Sequence, residues 1–206
     1  LAPHFFVRKH FGITVGNKMA AVSYSKAMTT TELINQLALR HHAKAAYRQL
    51  FAMGFEVVPV AREGLCHENA SVRYYCCSLL DHFLVSEVLE DLISMVHDPD
   101  PKVRTMALHT LACDKCKKGD CRPAEAKVLP EALRILDEDD DAHVRAMAIE
   151  VVGQYVHTNT NAKQALLEAK EKDASPTVRK KASWYAPGGP IYTRTAPRPE
   201  RNIRSA

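Results

Sequence analysis

Apolar residues recur three and four positions apart along most of the chain and are interrupted by short polar turns, a spacing that predicts helices rather than strands. Val88, Leu89, Leu92, Ile93 and Val96 mark one helix over Ser86 to Val96; a turn at Asp98-Pro99-Asp100 follows, then a helix from Pro101 to about Ala112. The same plan, helix, turn, helix, recurs. Phe55, Val57, Val58, Val60 and Leu65 form the apolar face of a helix that precedes one from about Ala70 to Leu84. Ala124 to Leu136 pairs with Ala142 to Val156, and Ala162 to Lys172 with Pro176 to Tyr185. Ahead of these, a Thr cap with a downstream Glu opens a helix to about Leu39, and a degenerate second helix covers His41 to Met53.

The second helices align in columns. Val72, Val103, Val144 and Val178 are each followed by an arginine, at Arg73, Arg104, Arg145 and Arg179. Three residues before each valine stand Asn69, Asp100, Asp141 and Ser175, all able to accept from the free N–H groups that open a helix. The next column, Ala70, Pro101, Ala142 and Pro176, suits the first helical position. Four residues after the valine come Cys76, Ala107, Ala148 and Ala182, small enough to let neighbouring helices approach. The arginines are 31, 41 and 34 residues apart, periods that belong to solenoids, whose units bury their apolar faces only by stacking.

Composition fits this picture. An apolar share of 46% with 25% charged residues is ordinary for a globular chain of 206 residues, and no run of apolar residues is long enough to span a bilayer. A cytoplasmic protein is expected, with reduced thiols at its six cysteines. The net charge of +4 is unevenly spread: residues 1–27 carry +4, residues 187–206 carry +3, and residues 28–186 carry −3. A slightly acidic repeat body argues against nucleic acid as a partner, and nothing points to a membrane. Residues 1–27 are expected to be disordered, a basic leader or a stretch foreign to the native protein, because Met28 looks like a natural start. Residues 28–186 form the repeat domain, and residues 187–206 a Pro- and Arg-rich tail, mobile unless Trp184, Tyr185 and Tyr192 fold it back.

The stretches Asp98-Pro-Asp-Pro-Lys-Val-Arg104, Asp139-Asp-Asp-Ala-His-Val-Arg145 and Asp173-Ala-Ser-Pro-Thr-Val-Arg179 resemble the HEAT repeat superfamily, in particular the short HEAT-like repeats of bacterial proteins and of phycobilisome lyase subunits. The resemblance covers about residues 31–186 and implies an all-α fold, a right-handed α-solenoid of about five antiparallel helix pairs, armadillo-like in outline. It also implies that Asp98 with Arg104, Asp139 with Arg145 and Asp173 with Arg179 form hydrogen-bonded ladders along the inner layer, weaker at Arg73 because His67 replaces the aspartate. A single His-Glu pair, His67-Glu68, is too few for the iron site of deoxyhypusine hydroxylase, a HEAT-like enzyme.

One insertion escapes the repeat, at about residues 113–123. Cys113, Cys116 and Cys121 sit within nine residues, with His109 one turn before Cys113 and His82 in the equivalent column of the preceding unit. Either it is a polar loop with reduced thiols, or it holds a tetrahedral zinc ion. Cys76 and Cys77 read as small core residues. The acidic run Asp137 to Asp141 has the charge to attract calcium but lies at a turn where helix N-termini already favour carboxylates. No nucleophile–base order or phosphate loop is found, so the expectation is a non-catalytic scaffold that binds an unidentified protein partner and is not an enzyme. The alternative is an enzyme or accessory subunit related to chromophore lyases. Two columns outside the apolar stripe supply the expected contacts: Tyr74, Thr105, Ala146 and Lys180 in one, Ser78, His109, Glu150 and Trp184 in the other.

Overall fold

The structure, a computed structural model, describes residues 28–112 and 121–197. The leader, the centre of the insertion with Cys113 and Cys116, and the end of the tail lie outside the described residues.

Helices begin where side chains take up free backbone N–H groups. Thr29 and Glu32 form a reciprocal capping box, the Glu32 carboxylate accepting from Thr29 N at 2.7 Å and the Thr29 hydroxyl from Glu32 N at 3.2 Å. That opens α1 (Thr30–Gln36), which stops short of the expected Leu39 because the next three residues bond back only three positions, a tighter turn. After α2 (Ala43–Ala52), Gly54 adopts φ 62°, the left-handed conformation that suits glycine, and ends the helix. A 3₁₀ turn at Gly54–Val57 leads into α3 (Val58–Gly64), with Pro59 in its first turn. The further pairs are completed by α4 (Ala70–His82), α5 (Leu89–Ser94) with 3₁₀ turns on both sides, α6 (Pro101–Ala112), α7 (Glu125–Glu138), α8 (Ala142–Gln154), α9 (Thr160–Lys172) and α10 (Pro176–Tyr185). Asn69, Asp100 and Asp141 cap their helices through side chains, as their column predicts. Ser175 does not: it holds the N-cap position without a side-chain bond, and its own N–H donates to Asp173 at 2.7 Å.

The pairs stack so that α4, α6, α8 and α10 pack in succession, with α7 against α9 in the other layer. Val72, Val103, Val144 and Val178 are fully buried between them, and so are Cys76, Ala107, Ala148 and Ala182. Each valine contributes about 1.5–3 kcal/mol of apolar burial, and each small residue sets how closely the helices approach. The result is a HEAT-like α-solenoid of helix pairs. Phe55, placed by its spacing on an apolar face, is instead 64% exposed, whereas Val57 and Leu65 are buried. The expected tail starts differently too: α11 (Pro190–Thr195) folds back, with the Tyr192 ring 4.4 Å from that of His157 and Thr195 bonded to His157 at 3.0 Å. Trp184 takes no part in that fold-back contact and is 40% exposed.

The aspartate and arginine columns do pair, but one unit out of phase with the expected pairing of Asp98 with Arg104, Asp139 with Arg145 and Asp173 with Arg179. Arg73 reaches Asp98 at 2.6 and 2.9 Å, Arg104 reaches Asp139 at 2.8 and 2.9 Å, and Arg145 reaches Asp173 at 2.9 and 3.0 Å. Each is a two-point contact through Nε and Nη2. The physical reason lies in Nη1, which donates to two backbone carbonyls of the arginine's own turn, Asp98 and Pro99 for Arg104 and Asp139 and Asp140 for Arg145. Held there, the guanidinium can turn its remaining edge only toward the next unit. Each aspartate in turn accepts from the N–H two residues on, so one carboxylate orders its own turn and grips the unit before it.

Arg73 is therefore not the weak point. His67 stands at the start of its unit's turn, where its Nδ1 accepts from Asn69 N at 2.9 Å as the aspartates do elsewhere. What it lacks is an arginine from the first unit, where Lys44 fills that column. Charge-assisted bonding to the aspartates holds the Arg73, Arg104 and Arg145 guanidinium groups above their ordinary pKa, against the opposing effect of burial. For Asp173, burial pushes the pKa up, but bonds from Arg145 and Ser175 N outweigh it, and the net direction is down.

Candidate functional site

Of the expected partner contacts, Ala146 is buried in the core and the others lie outside it on the second helices. Tyr74 meets Tyr75 edge-on, centroids 5.4 Å apart, and Ser78 lies 3.0 Å from the Tyr47 hydroxyl. Lys180 sits 5.9 Å from the Trp184 ring, in cation–π range. The other expected contacts are engaged locally: Thr105 donates to Pro101 O at 2.8 Å, Glu150 accepts from Lys181 at 2.5 Å, and His109 Nε2 is 3.8 Å from Asp81. Asp81 is buried, and its Oδ1 has no partner among the described residues.

Sequence reasoning missed the larger feature. Six aromatic rings from the first two units touch in a continuous ribbon, Tyr74 to Tyr75, Tyr75 to Tyr47, Tyr47 to Phe51, Phe51 to Phe83 and Phe83 to Phe55, with centroids 5.1–6.2 Å apart. His82 joins it, its ring edge-on to Phe51 at 5.1 Å. The ribbon grades from half-buried to open, with Phe51 40% and Phe55 64% exposed. Burial raises the Tyr47 phenol above its ordinary pKa although its bond to Ser78 acts the other way, so the hydroxyl stays neutral near pH 7. The spacing of Tyr47, Phe51 and Phe55 by four residues was the available signal; it was obscured because the first unit lacks the regular columns.

The expected metal ligands that are described face different neighbours. Cys121 Sγ donates to Leu84 O at 3.6 Å, His109 faces Asp81, and His82 belongs to the aromatic ribbon. Among the described residues, no three His, Cys, Asp or Glu side chains are grouped to hold a metal ion. The acidic run is used by the fold: Asp139 pairs with Arg104, and Asp141 caps α8. Cys76 and Cys77 are fully buried, and burial pushes the Cys76 thiol up to about 12. A groove of about 720 Å³ runs beside the Arg145–Asp173 pair and is lined by Asp137, Glu138, Glu168 and Lys172 among others. Among the described residues, no helix is long and apolar enough to cross a membrane.

No protein-family model and no curated protein matches the chain. Among solved structures, it is similar to a chain of the CpcE–CpcF complex of phycocyanin lyase from Nostoc sp. PCC7120, with a TM-score of 0.61 and 24% identity over 74% of this chain and 95% of that one. A designed armadillo repeat protein in complex with the peptide (KR)4 matches with a TM-score of 0.47 and 17% identity, over 77% of this chain and 80% of that one. The first match corrects the expectation that the chain is not an enzyme. A stack of this kind forms part of a lyase, so a repeat fold gives no ground for excluding catalysis. Repeated caps, buried valine and small-residue columns, inter-unit arginine–aspartate pairs and the structural match lead to one conclusion: the chain is a HEAT-like helical-repeat solenoid.

Proposed function

We propose that the chain is a protein-docking subunit that binds its partner along the aromatic ribbon of its first two units and the neighbouring second-helix face. The observation that carries this reading is the ribbon itself. Rings in tilted and edge-on contact over two units, with Phe51 and Phe55 open to solvent, offer a large rigid contact area at low entropic cost, the composition in which binding energy concentrates. The core does not need Phe55, which is mostly exposed. Co-purification from native cells tests the reading. A stoichiometric protein partner should be lost from a Phe51→Ala/Phe55→Ala chain whose helical circular dichroism is unchanged; a partner retained by that variant refutes it.

A second reading, an accessory subunit related to chromophore lyases, is favoured by the likeness to the phycocyanin lyase chain. It predicts phycocyanin, or a second lyase subunit, as the protein that co-purifies. A zinc ion in the insertion would accompany either reading as a structural clip, held by Cys113, Cys116 and Cys121 with a histidine; stoichiometric zinc that Cys116→Ser removes is its test.

A further inference from the structure

In three successive units, an arginine is clamped by two carbonyls of its own turn and gives its Nε–Nη2 edge to an aspartate of the following unit. Arg179 repeats the first half of this arrangement, with Nη1 donating to Asp173 O at 2.6 Å and Ala174 O at 3.0 Å. No carboxylate of the described residues lies on its other edge. It stands in the first turn of α10, whereas α11 folds back to His157, beyond the other end of α8. The edge is thus held ready in the geometry that binds a carboxylate at Arg73, Arg104 and Arg145.

We propose that Arg179 is a docking socket for a carboxylate of an acidic turn on a partner protein, seated where the aspartate of a further unit would lie. This goes beyond the aromatic surface proposed above and rests on that reading only in taking the partner to be a protein. Charge supports it. Residues 160–197 carry seven basic and three acidic side chains, +4, whereas residues 28–159 carry 14 basic and 20 acidic, −6. The end that bears the open fork is the end that attracts acidic surfaces. A second copy stacked head to tail is the poorer occupant, because the aspartate column begins with Ala38 and His67, and Asp98, Asp139 and Asp173 are already taken.

The test is nuclear magnetic resonance of the arginine Nε–H groups in the full chain, with a synthetic peptide of residues 96–108, which carries the Asp98 turn, as the probe. In the free chain, the Arg73, Arg104 and Arg145 signals should persist while that of Arg179 exchanges with water. Adding the peptide should shift and protect the Arg179 signal. Binding should weaken at least tenfold with an Asp98→Asn peptide, with an Arg179→Gln chain, and with Arg179→Lys, which keeps the charge but loses the two-point edge.

Absence of any shift overturns the proposal, and so does equal binding of the Asn peptide. Protection of Arg179 in the free chain that Glu200→Gln abolishes would show the chain's own tail in the socket; a sedimenting dimer lost in Arg179→Gln would show a second copy there. Either result also overturns it. Failure of the socket leaves the aromatic surface standing, since Phe51→Ala/Phe55→Ala should not alter the Arg179 signal.

Discussion

Replacing Asp139 by asparagine would remove one carboxylate from a joint that two units share. The asparagine oxygen can still accept from Asp141 N, so the turn keeps its local bond. What is lost is the two-point contact with Arg104, whose side chain is 16% exposed against 9% for Asp139. Removing one partner of a fully buried pair costs about 3–5 kcal/mol, and the slight exposure together with Arg104's remaining bonds to Asp98 O and Pro99 O lowers the expected cost to about 2–4 kcal/mol. For a chain of this size, that corresponds to a fall in Tm on the order of 5–15 °C. Thermal and urea unfolding followed by circular dichroism measure it, with Arg179→Ala as the internal comparison. That variant breaks no two-point contact with a carboxylate; it loses hydrogen bonds to two backbone carbonyls and a weaker attraction to Asp173, an expected cost of about 1–2 kcal/mol. If Asp139→Asn proves no more costly than Arg179→Ala, the inter-unit pairs do not stabilise the stack and the reasoning fails.

The lowered Asp173 pKa adds a pH dependence whose sign follows from its direction. Its contribution is complete above the unfolded aspartate value of about 3.9 and is lost as pH falls through the lower folded value, so wild type and Asp173→Asn should differ in stability near pH 6 and converge in strong acid; parallel curves would refute this. At Gly153, an added Cβ would lie 2.1 Å from Cδ1 of Tyr185, so Gly153→Ala should push α8 from α10 and cost about 1–3 kcal/mol, read as a lower Tm. A thiol reagent at pH 8 should modify exposed Cys66 quickly and leave Cys76 and Cys77 unreacted until the chain unfolds; fast modification of either would contradict their burial.

The columns were legible because each asks for one residue's own chemistry: an acceptor at the cap, a β-branched residue in the core, a small one against the neighbouring helix. The phase of the charge pairs was not. Asp98 is six residues from Arg104 and 25 from Arg73, and separation along the chain favours the wrong partner. Only the carbonyl clamp on Nη1 shows which way the fork points, and backbone carbonyls leave no mark in a residue pattern. The candidate site was legible in part. Tyr74 belongs to the ribbon and Ser78 bonds to its Tyr47, but Tyr47, Tyr75 and Phe83 meet there through the packing of α2 on α4, a tertiary fact. Position alone also overstated Ser175, whose column predicted a cap that its side chain does not form.

The three pairs that join the units have nearly the same geometry although their members are 25, 35 and 28 residues apart. A joint of this kind is indifferent to the length of chain that leaves one unit and enters the next, and lengthening such a loop costs only about 0.6 kcal/mol per doubling. The segment between α6 and α7 can therefore grow, shrink or change chemistry while Arg104 and Asp139 keep α6 registered on α8. In such a protein, novelty enters at the loops, and the joints keep the frame from noticing.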